Sequence, residues 1–250
     1  MAAADPVPGT DWLVPQWPVA AHVHAFVTTR NGGASRGPYA SLNLGFAAGD
    51  DATAVNENRS RVGRHLPASP CWLRQVHGAN VVTFSEAAQA IPDADGAVTR
   101  APGVPLVVLV ADCLPVLLAD RAGSVIGIAH AGWRGVAAGV LEATLDAMAR
   151  PAGDIVAWIG PGIGPDAFEV GQDVHDAFVS RDAHAAHAFR SLRHGKWLAD
   201  LPALARRRLE ARGVADVAGG TWCTVSDPQR FYSYRRDGPS GRMAAFIWLE

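Results

Sequence analysis

Cysteine is scarce in this 250-residue chain: Cys71, Cys113 and Cys223 stand far apart, with no C-x-x-C pair. An odd number so arranged argues against a disulfide framework and for a reducing compartment, so the expected location is the cytoplasm. Charge of one sign is lacking too. Twenty-two basic and 24 acidic residues leave a formal charge of −2, which provides no electrostatic footprint for DNA or RNA. The most basic stretch, Arg206–Arg208 within LPALARRRLEARG, reads as the solvated face of an amphipathic helix. No apolar run approaches the roughly 18 residues that span a bilayer. The N-terminus, MAAADPVPGTDWLVPQWP, has neither the basic start nor the apolar core of a signal peptide. Neither nucleic acid nor membrane is expected as a partner.

What is present is a globular composition, 49% hydrophobic and 18% charged, in a chain long enough to bury a sizeable core. Residues 1–18, rich in Pro and Ala, read as a flexible arm ahead of a single domain at 19–250. Strands are expected at 23–30, 104–111, 115–120, 124–130, 154–160 and 242–250, with two more in 71–84 around a Gly-Ala-Asn turn. Asp120 to Gly123 fits a hairpin turn. Helices are expected at 50–66, about 172–180, about 201–212 and, with the strongest pattern, 133–150, closed by Pro151. Residues 181–195 read as a surface loop. There is no internal repeat and no linker of shifted composition. The fold class is α/β, with α+β layering: one domain whose mixed sheet is flanked by helices.

Within that pattern, VLVADCLPVLLAD (108–120) is a buried-strand run interrupted by Asp112 and Cys113. The interruption fits a strand break, a core cysteine beside a capping aspartate, or a working thiolate. Two histidines also sit at or near the ends of apolar runs, His77 in RQVHGAN and His130 in IAHAGWRG. A strand end lets a side chain reach a cleft while the sheet holds its backbone. Each residue alone fits a structural role. Together they form a Cys/His/His set that can hold zinc with a fourth position open, or serve a cysteine hydrolase in which a histidine draws the proton from Cys113. Their separations of 36 and 17 residues match neither finger nor ribbon spacings and do not decide between the two.

The segments VTTRNGGASRGPYASLNLG, NENR, RQVHGANV, DADGAVT, ADCLPVLLAD, AHAGWRG, GPGIGPDAFEVG, WCT and FYSYRRDGPSGRMAAFI occur in this order from about residue 23 to 248. So arranged, they resemble the YfiH, or laccase-domain (multicopper polyphenol oxidase), family. The resemblance implies a single layered α/β domain of the YfiH-like, cysteine-hydrolase-like fold. It implies one zinc site on His77, Cys113 and His130. It also implies phosphorolysis of purine nucleosides (adenosine, inosine, guanosine, methylthioadenosine) by phosphate, with adenosine deamination as a second activity. A laccase label and a peptidoglycan-editing role attach to the same family, so a Cys113-dependent hydrolase of cell-wall precursors and a copper oxidase stand as alternatives.

The residues bear on these activities. The zinc deaminase signature H-x-E…P-C-x-x-C is absent, so deamination would need a differently built site with Asp112 or a water chain as proton shuttle. Asp112 could also anchor a histidine or cap a loop. Copper oxidases need clustered His-x-His pairs, and the chain has one, at 22–24, with no His beside any Cys. Copper, Cu2+, would then be adventitious in the same His/Cys/His site. Phosphate needs a cationic clamp, for which Arg235 and Arg236 in SYRRDG stand first, ahead of Arg59 and Arg30, unless the pair is a surface ion pair. Asn43 in SLNLG could bind ribose or base, or satisfy a turn. Trp133 could stack on a purine or wedge a helix start. GPGIGP reads as a rigid connection, and Cys223 as a pocket wall or core residue. The expected partners are small purine nucleosides and phosphate, and the expected state is a monomer.

Overall fold

The apolar runs become strands of three separate sheets. The structure, a computed structural model, describes residues 10–87 and 90–250. Its first half contains β1 (Val23–Val27), α1 (Ala52–Gly63), β2 (Val81–Phe84), β3 (Gly96–Thr99), β4 (Leu106–Val110), β5 (Leu114–Asp120) and β6 (Ile126–Ala131). There follow α2 (Trp133–Ala138), α3 (Val140–Met148), β7 (Ile155–Ile159), β8 (Glu169–Gly171), α4 (Gln172–Val179), β9 (Phe189–Arg193) and β10 (Lys196–Ala199). The last elements are α5 (Leu201–Ala211), β11 (Asp216–Gly219), the single turn α6 (Tyr234–Asp237) and β12 (Met243–Leu249).

A mixed six-stranded sheet runs β11-β7-β5-β6-β3-β2, and a three-stranded antiparallel sheet runs β1-β12-β4. A small antiparallel sheet, β8-β10-β9, stands apart. The alternation of side chains along β5 shows the layering. Leu114, Val116 and Leu118 point into the core shared with α2, α3, α4 and α5, whereas Leu117 and Ala119 meet Val27, Val108 and Ile247 of the three-stranded sheet. The far side of that sheet, with Phe26, Val107 and Phe246, is covered by Val62 of α1 and by Leu42 and Leu44. The order of layers is therefore helix, sheet, sheet, helices. All seven residues of β5 are buried, which is why its sequence is continuously apolar rather than alternating. Each fully buried Leu or Val contributes about 1.5–3 kcal/mol.

Several expectations need correction. Of the two strands expected in 71–84, Val81–Phe84 forms, and it pairs parallel with β3 instead of closing a hairpin. Residues 71–80 form no strand and touch their neighbours through isolated bridges at Cys71 and Arg74. The helix expected across 133–150 is two helices. Gly139, at φ 99°, caps the end of α2 and the start of α3, a left-handed conformation that glycine adopts without steric cost. The stretch 181–195 is not a plain loop, because a 3-10 helix at Ala183–Ala188 leads into β9, with Ala185 and Phe189 buried. The arm is held from residue 10 onward: Leu13 pairs with Val27, and Trp12 stacks on Phe26 at 4.8 Å. Residues 1–9 of that arm lie outside the described residues. Among the described residues, no helix is long and apolar enough to cross a membrane.

Candidate metal centre

The crossing between the two large sheets places Cys113. β4 belongs to the three-stranded sheet and β5 to the six-stranded one, so the chain turns sharply at 111–113, with Asp112 at φ 89°. Pro115 lies beyond this turn. It is the second residue of β5, opposite His130, and its carbonyl accepts the Gly160 N–H at 2.8 Å. The same antiparallel register pairs Leu114 with Ala131, which brings Cys113 beside Gly132 at the end of β6.

His130 is buried at that end, and its ring lies edge-on to His77, with centroids 4.9 Å apart. The ligating atoms of His77, Cys113 and His130 all lie within 4.8 Å of one another, with His77 exposed, Cys113 half-buried and His130 buried. No other group of three His, Cys, Asp or Glu donors of this kind occurs among the described residues.

Asp95, which the sequence reading did not single out, organises this cluster. It is fully buried just before β3. Its carboxylate accepts backbone N–H bonds from Val76 (3.1 Å), His77 (2.9 Å) and Gly78 (2.7 Å), and pairs with His130 Nδ1 at 2.8 Å. Those three N–H bonds hold the loop that turns at His77, whose φ of 59° is unusual for a residue with a side chain. The His130 contact leaves its Nε2 to face Cys113. A carboxylate behind a ligating imidazole is the arrangement that fixes tautomer and ring orientation. Burial works against the Asp95 charge, yet the His130 contact and the Gly78 and Val76 N–H bonds hold its carboxyl below the ordinary range.

The electrostatics favour a thiolate. Burial pushes Cys113 up, but the charges and hydrogen bonds of His130 and His77 outweigh it and bring the thiol to about 6. Burial likewise pushes His130 down, and the Cys113 charge together with Asp95 raises it to about 9. One thiolate and two imidazoles of fixed orientation form a donor set that could bind a metal. Close packing keeps the space between them open. A Cβ added at Gly132 would lie 2.8 Å from Cys113 Sγ and 3.4 Å from His77 Cδ2. Gly132→Ala is expected to displace a donor and weaken metal binding by about 10–100-fold, the cost of disturbing ligand orientation. Competition with a chromophoric chelator measures it, and an unchanged affinity would refute the packing argument.

The remaining sequence candidates fare differently. Asp112 is neither the histidine's anchor nor a free shuttle, since its Oδ1 accepts from Thr224 Oγ1 (2.6 Å) and its Oδ2 from the Arg235 N–H (2.7 Å). It ties the sheet crossing to α6 and to the segment at Thr224. Arg236 cannot clamp a phosphate with its neighbour, because it donates to the Thr224, Val225 and Phe231 carbonyls and pairs with Asp237. Arg235 donates to the Glu169 carbonyl at 2.8 Å. Arg59 donates to the Leu44 carbonyl and lies over the rings of Trp72 (3.5 Å) and Phe46 (4.3 Å). Arg30 donates to the Ala40 and Pro228 carbonyls. Asn43 is buried and spends its side chain on Gly45, Asp50 and Arg242, as a turn residue does. Trp133 opens α2 and packs against the helical core, as a wedge does. Cys223 accepts the Gly164 N–H at 3.2 Å and takes no place in the triad. GPGIGP is a tight connection: an added Cβ at Gly162 would come within 2.4 Å of Leu114.

The chain is similar to known proteins over nearly its whole length. The chain is 50% identical to a purine nucleoside phosphorylase of Pseudomonas aeruginosa, covering 96% of this chain and 98% of that one. It is 49% identical to the purine nucleoside phosphorylase YfiH of Escherichia coli, covering 95% and 98%. Among solved structures, Neisseria meningitidis protein NMB0706 superposes with a TM-score of 0.94 at 50% identity, covering 96% of this chain and all of that one. YlmD from Geobacillus stearothermophilus superposes at 0.89 with 34% identity, covering 98% of each. Residues 24–250 match the family described as multi-copper polyphenol oxidoreductase laccase, and the chain belongs to it.

Proposed function

We propose that this chain is a zinc-dependent purine nucleoside phosphorylase, converting a purine nucleoside and phosphate to the free base and ribose-1-phosphate, with adenosine deamination as a second activity. The observation that carries the reading is the convergence of His77, Cys113 and His130 within 4.8 Å, with Asp95 behind His130. Relatives named purine nucleoside phosphorylase, half identical over nearly the whole length, supply the reaction class. His77, Cys113 and His130 would hold the zinc ion, which would supply Lewis-acid charge to the site. The chain's own part is orientation. Asp95 keeps the His130 ring turned toward the thiol, and the same carboxylate holds the His77 loop at the mouth, where His77 is exposed. Phosphorolysis needs little more than positioning and charge placed where the ribosyl centre turns cationic.

The test is incubation of metal-analysed protein with adenosine and phosphate, following adenine, ribose-1-phosphate and inosine. Free base, counted as adenine plus the hypoxanthine released from inosine, and ribose-1-phosphate are expected in equal amounts, only when phosphate is present. Chelation should abolish both products and added zinc should restore them. No product from protein carrying one zinc per chain would overturn the reading.

One observation favours a second reading. Cys113 and His130 face each other with the thiol lowered and the histidine raised, the pairing a cysteine hydrolase uses, for which a cell-wall precursor would be the substrate. Metal content separates the two, because a tightly bound zinc leaves no free thiolate. Copper oxidation has no structural support beyond the same triad, since no second donor cluster exists among the described residues.

A further inference from the structure

The arginines first expected to bind phosphate are engaged elsewhere, yet a different one stands beside the triad. Arg242 immediately precedes β12, and the pairing of Met243 with Val110 sets it across from Ala111, next to Asp112 and Cys113 at the sheet crossing. Its backbone is held on both sides by one loop. The Arg242 N–H donates to Asn43 Oδ1 at 2.9 Å, and its carbonyl accepts the Leu44 N–H at 3.1 Å. The stem lies so close over Gly45 that an added Cβ there would come within 2.8 Å of Arg242 Cγ. The guanidinium is oriented as well, with Nη1 donating to the Ser240 and Gly241 carbonyls at 2.7 and 3.0 Å. Buried Asn43 thus serves to fix an arginine.

Arg230 and Arg236 nearby hold Asp227 and Asp237, but Arg242 forms no ion pair among the described residues. A half-buried guanidinium that faces Cys113 and Asp112 without an ion pair to either has lost hydration on the edge its carbonyl bonds leave open, and an anionic ligand there replaces it. With Nη1 on the two carbonyls, the Nε–Nη2 edge remains, and that edge presents two parallel N–H groups matched to two oxygens of one phosphate. Burial depresses the arginine's proton affinity while Cys113 and Asp112 raise it, as expected of a cation facing the site.

We propose that Arg242 is the phosphate-binding residue of this site, its Nε–Nη2 edge gripping the attacking phosphate beside Cys113. The identity of the anion rests on the phosphorylase reading. In the reaction a phosphate oxygen bonds to the ribose C1′ as the C1′–N9 bond breaks. The electron pair of that bond leaves on the purine, and the proton of hydrogen phosphate ends on the base. Arg242 neutralises charge on the two oxygens that do not attack.

The test has a binding arm and a kinetic arm on the zinc-loaded protein. Phosphate binding is measured by calorimetry, and initial rates are followed against phosphate and against adenosine. Arg242→Gln should lower phosphate affinity and raise the phosphate KM by at least about tenfold, the loss expected for a charge-assisted bidentate contact. The adenosine KM and zinc content should stay within about twofold. Arg242→Lys should recover part of the affinity, and Arg235→Gln should change neither. If Arg242→Gln fails to fold, the wild type answers directly: phosphate should shield Arg242 from phenylglyoxal, mapped by mass spectrometry. Unchanged phosphate affinity in Arg242→Gln, or no shielding, overturns the proposal. Wild-type phosphorolysis that persists unchanged in Arg242→Gln sinks this inference alone. Phosphate bound through Arg242 with no ribose-1-phosphate formed sinks the phosphorylase reading alone.

Discussion

Cys113→Ala is expected to lower zinc to well below one per chain and to cut phosphorolysis by at least about a thousandfold. The size follows from geometry. Cys113 offers the sole anionic donor of the triad and sits where the register of β5 and β6 brings it against Gly132 and the two histidine rings. Two neutral imidazoles, one of them exposed, are a weak site for a dication. The fold itself should survive, because the thiol is only half-buried at the sheet crossing and Asp112 still ties that crossing to Thr224 and Arg235. Metal analysis beside product assay checks this. Full activity in a zinc-free Cys113→Ala protein would remove the metal from the reaction, and a zinc-free wild type that loses hydrolysis in the variant would point to the thiolate enzyme.

Asp95→Ala should cost more stability than any other single change near the site, about 3–5 kcal/mol, equivalent to a fall in melting temperature of roughly 10 °C. The carboxylate is fully buried and serves three backbone N–H groups and the His130 ring, so its removal strands four polar groups at once. Zinc affinity should fall by about 10–100-fold, because nothing then selects the His130 tautomer. The pH dependence has a definite sign. The Asp95 carboxyl titrates below its unfolded value of 3.8, so its stabilisation is full above about pH 4 and is lost as pH falls through the folded pKa. Asp95→Asn should therefore show a shallower loss of stability below pH 4 than wild type. Denaturant melts between pH 3 and 7 measure both effects, and an Asp95→Ala protein melting within about 2 °C of wild type would refute this account.

Much of the architecture was legible residue by residue. The runs at 106–110, 114–120, 126–131 and 243–249 are apolar because both faces of those strands are covered, and their short length and apolar content place them. Asp51 before α1 accepts the Thr53 N–H, as its position suggests. The misreadings share a cause. Gly139 within a strong helical pattern looks tolerable, but the two helix axes it separates are set by packing on the sheet. Residues 71–75 have strand-like composition but keep only isolated bridges at Cys71 and Arg74, and the Asp95 carboxylate takes the backbone donors of 76–78 that would extend them.

The identity of the three donors came from residue type and motif alone: a thiol and two imidazoles at the ends of apolar runs, in an order shared with a known family. Which acid and which arginine serve them did not. Asp112 adjoins the cysteine in sequence yet bonds to Thr224 and Arg235, while Asp95, 35 residues from His130, holds its ring. The paired arginines 235 and 236 advertise a clamp that backbone carbonyls consume, and the single Arg242 reaches the crossing because β12 pairs with β4. Periodicity and motif report what a residue type can do and which way a strand faces. Partnership across sheets depends on register, a long-range property settled when two sheets and a buried carboxylate close around the same turn.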